Sequence, residues 1–197
     1  LKSWVGWRIL PFSIIGGVMQ DYFNGFDKFI FNENINYNEK ILAHIDDEKK
    51  ETLEEHSKLC IKYLELLTDR KNLVNIFDNL FNIFFKGKTN SKISFFKSMV
   101  YHMILLHDIG KVNVNFQVDK MKNYYFKRLI SLDCNNTNHS MLSTMIYINE
   151  FFERTIQFAK DIDYHNIIII LLLNAYVISK HHGNFDSFEE FAGKMIS

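Results

Sequence analysis

The chain has 197 residues, 47 % of them hydrophobic, with 23 Lys plus Arg against 23 Asp plus Glu. That length is enough for one domain with a buried core, and the balanced charge excludes a protein that grips nucleic acid through an overall basic field. Two distant cysteines, Cys60 and Cys134, form no CxxC pair and fit a reducing compartment better than a secreted disulfide scaffold, so a cytoplasmic protein is expected.

The opening LKSWVGWRILPFSIIGGVMQ has the basic start and short apolar run of a leader. It has no small-residue cleavage site and contains Pro11 and Gly16-Gly17, so it is not read as a signal peptide. The chain begins at Leu1 and stops just after the amphipathic FDSFEEFAGKMI, which reads as a fragment of something longer. The loop-like FNENINYNEK marks the one candidate boundary. It sets residues 1–40 apart as an N-terminal extension of unassigned role and leaves 41–197 as the domain.

One proline and eight glycines leave little to punctuate strands, and apolar residues recur at three- and four-residue spacing. An all-α bundle is expected, without internal repeats or linkers. In ETLEEHSKLCIKYLELL, Thr52 and Glu55 have the spacing of a capping box and start a helix on which His56 shares an apolar face with Cys60, Tyr63, Leu64 and Leu67. SKISFFKSMVYHMILLHD reads as a second helix, closed by Gly110 just after His107-Asp108. TNHSMLSTMIYINEFFERTIQFAK reads as a third, capped by Thr137 or Asn138, with His139 in its first turn and Ser143 on the same face. The run from Ile167 to Ile178 is too short to span a bilayer and contains Asn174; it reads as a buried helix ending at Gly183.

Four helices thus offer imidazole or carboxylate: His56, then His107 with Asp108, then His139, then His181 with His182. Helix ends and apolar faces of a bundle can bring such groups into one cavity, and their separations are far too long for a zinc finger. Imidazole suits transition metals, while a carboxylate can bridge two ions with its two oxygens, the natural part for Asp108. A lone histidine on an apolar face is more often a core residue, as expected for His102 and His165, and His44 is expected in a loop.

HDIGK resembles the signature of the HD metal-dependent phosphohydrolase superfamily. ILAH, TLEEHS, HDIGKVNVNFQ, NHSMLS and KHHGNF together resemble the HD nuclease domain of the type I CRISPR-associated helicase-nuclease effector, over roughly Ile41 to the C-terminus. The resemblance implies two divalent ions, drawn from Mn, Ni, Co, Fe or Mg. His56, His107 and Asp108 would hold the first, and Asp108, His139, His181 and His182 the second. The family completes its first site with an aspartate on a later helix. Asp186 lies too near His182 to be that residue, so a C-terminal truncation is expected. Two dications beside one aspartate leave a local charge of roughly +3, or about +2 with the missing aspartate restored.

The implied reaction is attack of an activated water on a DNA phosphodiester. Lys111 would hydrogen-bond a phosphate oxygen, Ser143 would orient a ligand or the substrate, and Phe116 and Gln117 would support the loop. The implied setting is antiviral defence. Single-stranded DNA would be cut after a crRNA-guided surveillance complex opens the target, with a helicase in cis or in trans and no membrane partner. Two alternatives stand beside it: an HD phosphohydrolase of nucleotides or other small phosphate esters, and an inactive domain that only docks a helicase or surveillance complex.

Overall fold

A computed structural model describes residues 22–23, 41–46, 49–129, 137–183 and positions 187, 191 and 193. The expected N-terminal extension, apart from Tyr22 and Phe23, lies outside the described residues. So do Cys134, Asp186 and most of FDSFEEFAGKMI.

The chain is predominantly helical, as composition and spacing predict, with one small sheet added. Strands β1 (Leu42–Ile45) and β2 (Lys50–Thr52) pair antiparallel, His44 opposite Glu51 and Ile45 opposite Lys50, with an irregularity between Leu42 and His44. His44 therefore sits on a strand, where a loop was expected. Four residues of LAHI are too few for a period of two to stand out. What holds β1 is remote: the fully buried Gln117 amide accepts from Leu42 N (2.9 Å) and donates to Leu42 O (2.8 Å) and Lys111 O (2.7 Å).

Helix α1 (Leu53–Arg70) starts on the predicted capping box. The Thr52 hydroxyl accepts from Glu55 N, and the Glu55 carboxylate accepts from Thr52 N, which satisfies two of the backbone donors exposed at a helix start. Its buried line is Leu53, Ser57, Ile61, Leu64 and Thr68. Tyr63 and Leu67, expected on the core face, are exposed, and His56 and Cys60 lie at the edge of the buried stripe. Helix α2 (Leu73–Phe84) follows a turn at Asn72, whose φ of 53° is tolerated by asparagine.

Helix α3 (Asn90–Leu105) ends at Leu106, so His107-Asp108 lies in the turn beyond it. A 3-10 turn (Ile109–Val112) contains Gly110, which does not act as the helix stop. Helix α4 (Val114–Asp119) is capped by the Asn113 side chain, and a second 3-10 turn spans Tyr124–Leu129. Helix α5 (His139–Ile156) starts on Asn138, whose side chain accepts from Met141 N, and stops short of the expected Lys160. Helix α6 (Tyr164–Lys180) ends three residues before Gly183 and places His181-His182 just past its last turn.

Helices α5 and α6 pack most extensively, and α3 lies against both. Their shared core includes Met99, Tyr101, Leu105, Tyr147, Phe151, Ile167, Leu171 and Ile178. Asn174, the polar residue of the apolar run, donates to the Tyr147 hydroxyl, which in turn donates to Met99 O. Helix α6 nonetheless exposes Ile169, Leu173 and Val177 on one face. Among the described residues no helix is long and apolar enough to cross a membrane.

Across the bundle, Lys92 Nζ lies 2.7 Å from both Asp161 and Asp163, and Asp163 also accepts from Lys86 N. His102 is buried and its Nδ1 donates to Ser98 O at 2.8 Å, while His165 is exposed on the first turn of α6 and is no core residue.

Candidate metal centre

The five predicted histidine ligands meet at the sixth residue of the set, the Asp108 carboxylate. Asp108 is 1 % exposed, and its two oxygens face different groups. Around Oδ2 lie His56 Nε2 (3.2 Å), His107 Nε2 (3.5 Å) and Lys111 Nζ (2.9 Å). Around Oδ1 lie His181 Nε2 (3.0 Å), His139 Nε2 (3.4 Å) and His182 Nε2 (3.7 Å).

Local structure explains the convergence. α3 delivers His107-Asp108 at its end, α5 presents His139 at its first residue, and α6 presents His181-His182 after its last. The turn carrying Asp108 meets α5 because residue 110 is glycine: a Cβ there would stand 2.0 Å from His139 O and 2.9 Å from Ser143 N. Ser143 Oγ then accepts from Gly110 N at 2.8 Å, fixing that approach. Phe116 packs against the His139 ring, centroids 4.7 Å apart.

The imidazoles are oriented as donors to an ion. A carbonyl oxygen only accepts, so His107 Nδ1 carries its proton toward Ile104 O (2.7 Å) and His181 Nδ1 toward Ile178 O (2.6 Å). Nε2 of each neutral ring is then a bare lone pair facing Asp108, the tautomer that metal-binding histidines adopt. His139 Nε2 is buried 3.4 Å from Asp108 Oδ1 and makes no well-formed hydrogen bond among the described residues. Lone pairs crowded on a carboxylate repel unless a proton or a cation lies among them, so the donor set fits divalent metal ions. Asp108, His139, His181 and His182 form one group that could hold an ion, and His56, Cys60 and His107 another.

Electrostatics agree. Burial works to raise the Asp108 carboxyl, but the His139, His181 and His56 rings, which donate to it whenever they carry a proton on Nε2, outweigh burial and hold the group far below the ordinary carboxylate range. The His56 hydrogen bond to Asp108, with help from Cys60, pushes its pKa up to about 10 against the opposing effect of burial. Burial, then the neighbouring His181, lowers His182 to about 4, and burial likewise lowers His107.

Two expected substrate contacts take other places. Lys111 is 2 % exposed and its Nζ is held between Asp108 and Ala43 O (3.1 Å), so it neutralises the carboxylate and ties it to β1 instead of reaching out for phosphate. Ser143 is fully buried and serves the Gly110 turn.

Two residues near the ligands escaped the sequence reading. His44 lies with its ring centroid 4.7 Å from that of His56 and groups with His56 and Asp108, and Cys60 stands one turn after His56. The i, i+4 spacing of His56 and Cys60 was the available signal for the second. Comparisons with protein-family models, with curated proteins and with solved structures find no match for this chain.

Proposed function

We propose that the chain is an HD-type metal-dependent phosphodiester hydrolase that cuts single-stranded DNA, working beside a helicase and a crRNA-guided surveillance complex in type I CRISPR interference. One observation carries the reading: a single buried aspartate turns each of its oxygens toward a separate set of imidazoles, the arrangement a pair of bridged ions requires. Bound at these positions, divalent ions would supply activation of water and neutralisation of the charge that develops on phosphoryl oxygens.

The chain's own residues set the rest. His56 and His107 would hold one ion with Asp108, and His139, His181 and His182 the other. Lys111 holds the Asp108 carboxylate in place through its ion pair, while Ser143 and Gly110 lock the turn that carries it against α5. His182, half exposed and unprotonated at neutral pH, marks the open side where a phosphodiester could enter. A neutral chain with a cationic cage fits an enzyme that takes its DNA from a partner and does not read bases.

The test is incubation of Mn²⁺-, Co²⁺-, Ni²⁺- or Mg²⁺-loaded protein with single-stranded DNA, duplex DNA and a nucleotide panel. Degradation of the single strand that disappears in Asp108→Ala is expected. Turnover of nucleotides with DNA left intact would move the assignment to a small-molecule phosphohydrolase, and no hydrolysis of any of them would leave a docking domain.

A further inference from the structure

We propose that Cys60 is a direct ligand of the ion on the His56 and His107 side, giving that position a mixed nitrogen and sulfur donor set selective for a thiophilic dication. The inference rests on the metal-dependent reading above and adds a donor that the resemblance does not supply.

The geometry is that of donor atoms around one ion. Zinc-type ions take nitrogen at about 2.0–2.1 Å and sulfur at about 2.3 Å, so two nitrogens of a tetrahedron stand about 3.3 Å apart and nitrogen and sulfur about 3.6 Å apart. His56 Nε2 and His107 Nε2 are separated by 3.4 Å, and Cys60 Sγ and His56 Nε2 by 3.6 Å. The third edge, from Cys60 to the His107 ring nitrogen, is under 4.8 Å. Two imidazole nitrogens with a thiol against them make an uncommon neighbourhood for a structural cysteine, which is usually buried in apolar surroundings. Cys60 instead stands partly exposed at the edge of the core stripe of α1, one turn beyond His56.

Ligation breaks the Sγ–H bond and releases the proton to solvent while the sulfur lone pair goes to the ion, with no change of oxidation state. Thiolate favours Zn²⁺, Co²⁺, Ni²⁺ or Fe²⁺ over Mg²⁺, which takes oxygen donors. The two ion positions are therefore chemically unequal: sulfur near one, only imidazole and carboxylate near the other.

Titration of the full chain with Co²⁺ tests this. Ligand-field bands in the visible report a bound ion, and a thiolate-to-cobalt charge-transfer band in the near ultraviolet reports sulfur. Both are expected in the native protein. In Cys60→Ser the charge-transfer band should vanish while ligand-field bands remain, and affinity for the tighter ion should fall by about tenfold or more, the loss seen when even an outer partner is removed. Circular dichroism of the variant checks that α1 is intact. Ligand-field bands without charge transfer in the native protein, or a charge-transfer band that survives Cys60→Ser, would overturn the assignment and leave the metal centre standing. Absence of any cobalt spectrum would remove both.

Discussion

At the scale of single residues, Asp108 and Lys111 form a unit. From its sequence context Asp108 reads as a bridge between ions, and removing it should spare the fold. Its ion pair with a lysine only 2 % exposed changes that expectation. Asp108→Ala leaves the Lys111 ammonium without a counter-charge in its ion pair and with Ala43 O as its hydrogen-bond acceptor among the described residues, and stranding one partner of a buried pair costs about 3–5 kcal/mol. Thermal or urea unfolding of the metal-free protein should show a loss of that size. Adding Lys111→Met should return much of it while DNA cleavage stays absent. If Asp108→Ala unfolds like the native chain, Lys111 is not paired as described. The six candidate ligands were legible because histidines and an aspartate at helix ends and on apolar faces are rare enough to stand out. The tasks of Lys111 and Ser143 were not, because a lysine after a glycine turn and a serine on a helix face look alike in sequence whether they meet substrate or backbone.

At the scale of elements, the site depends on how closely the turn after α3 approaches α5. Gly110→Ala would put a methyl group 2.0 Å from His139 O, and backbone cannot yield as a side-chain tip would. The first turn of α5 must then move away, carrying His139 from Asp108. Overpacking of this kind costs about 1–3 kcal/mol or more. Metal affinity, read by cobalt titration, should fall further than stability does, because the displaced element carries a candidate ligand. Equal metal affinity in the variant would show that α5 tolerates the group.

A second junction joins the starts of α3 and α6 through Lys92 and Asp163. Burial works to raise the Asp163 carboxyl, and hydrogen bonds from Lys92 Nζ, Lys86 N and Gly87 N outweigh it to hold the pKa below its ordinary value. A carboxylate with a lowered folded pKa lends stability that is present above its unfolded value, near 3.8, and is lost as pH falls through the folded one. Acid unfolding curves should therefore lose part of their slope in Asp163→Asn, and a slope unchanged from the native chain would place the acid sensitivity elsewhere. Neither junction was visible beforehand. Close approach and buried ion pairs are relations between distant segments, whereas the capping box of α1 and the Asn138 cap of α5, one of the two candidates there, are local and stood out in the sequence.

At the scale of the whole molecule, the helical class followed from apolar spacing alone. The hairpin, α2 and the C-terminal helix ends did not, since short strands and helix stops are settled by packing such as Gln117 on β1. The same convergence that makes the cage ties together α1, the turn after α3, α5 and the end of α6, so ions that bind only the folded chain must stabilise it. A hundredfold excess over the dissociation constant contributes about 2.7 kcal/mol, and a chelator should remove it. The pH dependence of that gain has a definite sign. In the metal-free protein the His56 proton, held up to about 10, lends stability that is complete below the unfolded value near 6.5 and fades as pH rises toward 10. An ion bound through His56 Nε2 must displace that proton, so its affinity strengthens over the same range. The difference in unfolding free energy between loaded and chelated protein should thus widen from pH 6 toward pH 9, and in His56→Ala the widening should shrink to the part that release of the Cys60 proton supplies. A difference that narrows with rising pH would mean that His56 keeps its proton in the loaded state and serves as a hydrogen-bond partner of Asp108, not as a ligand.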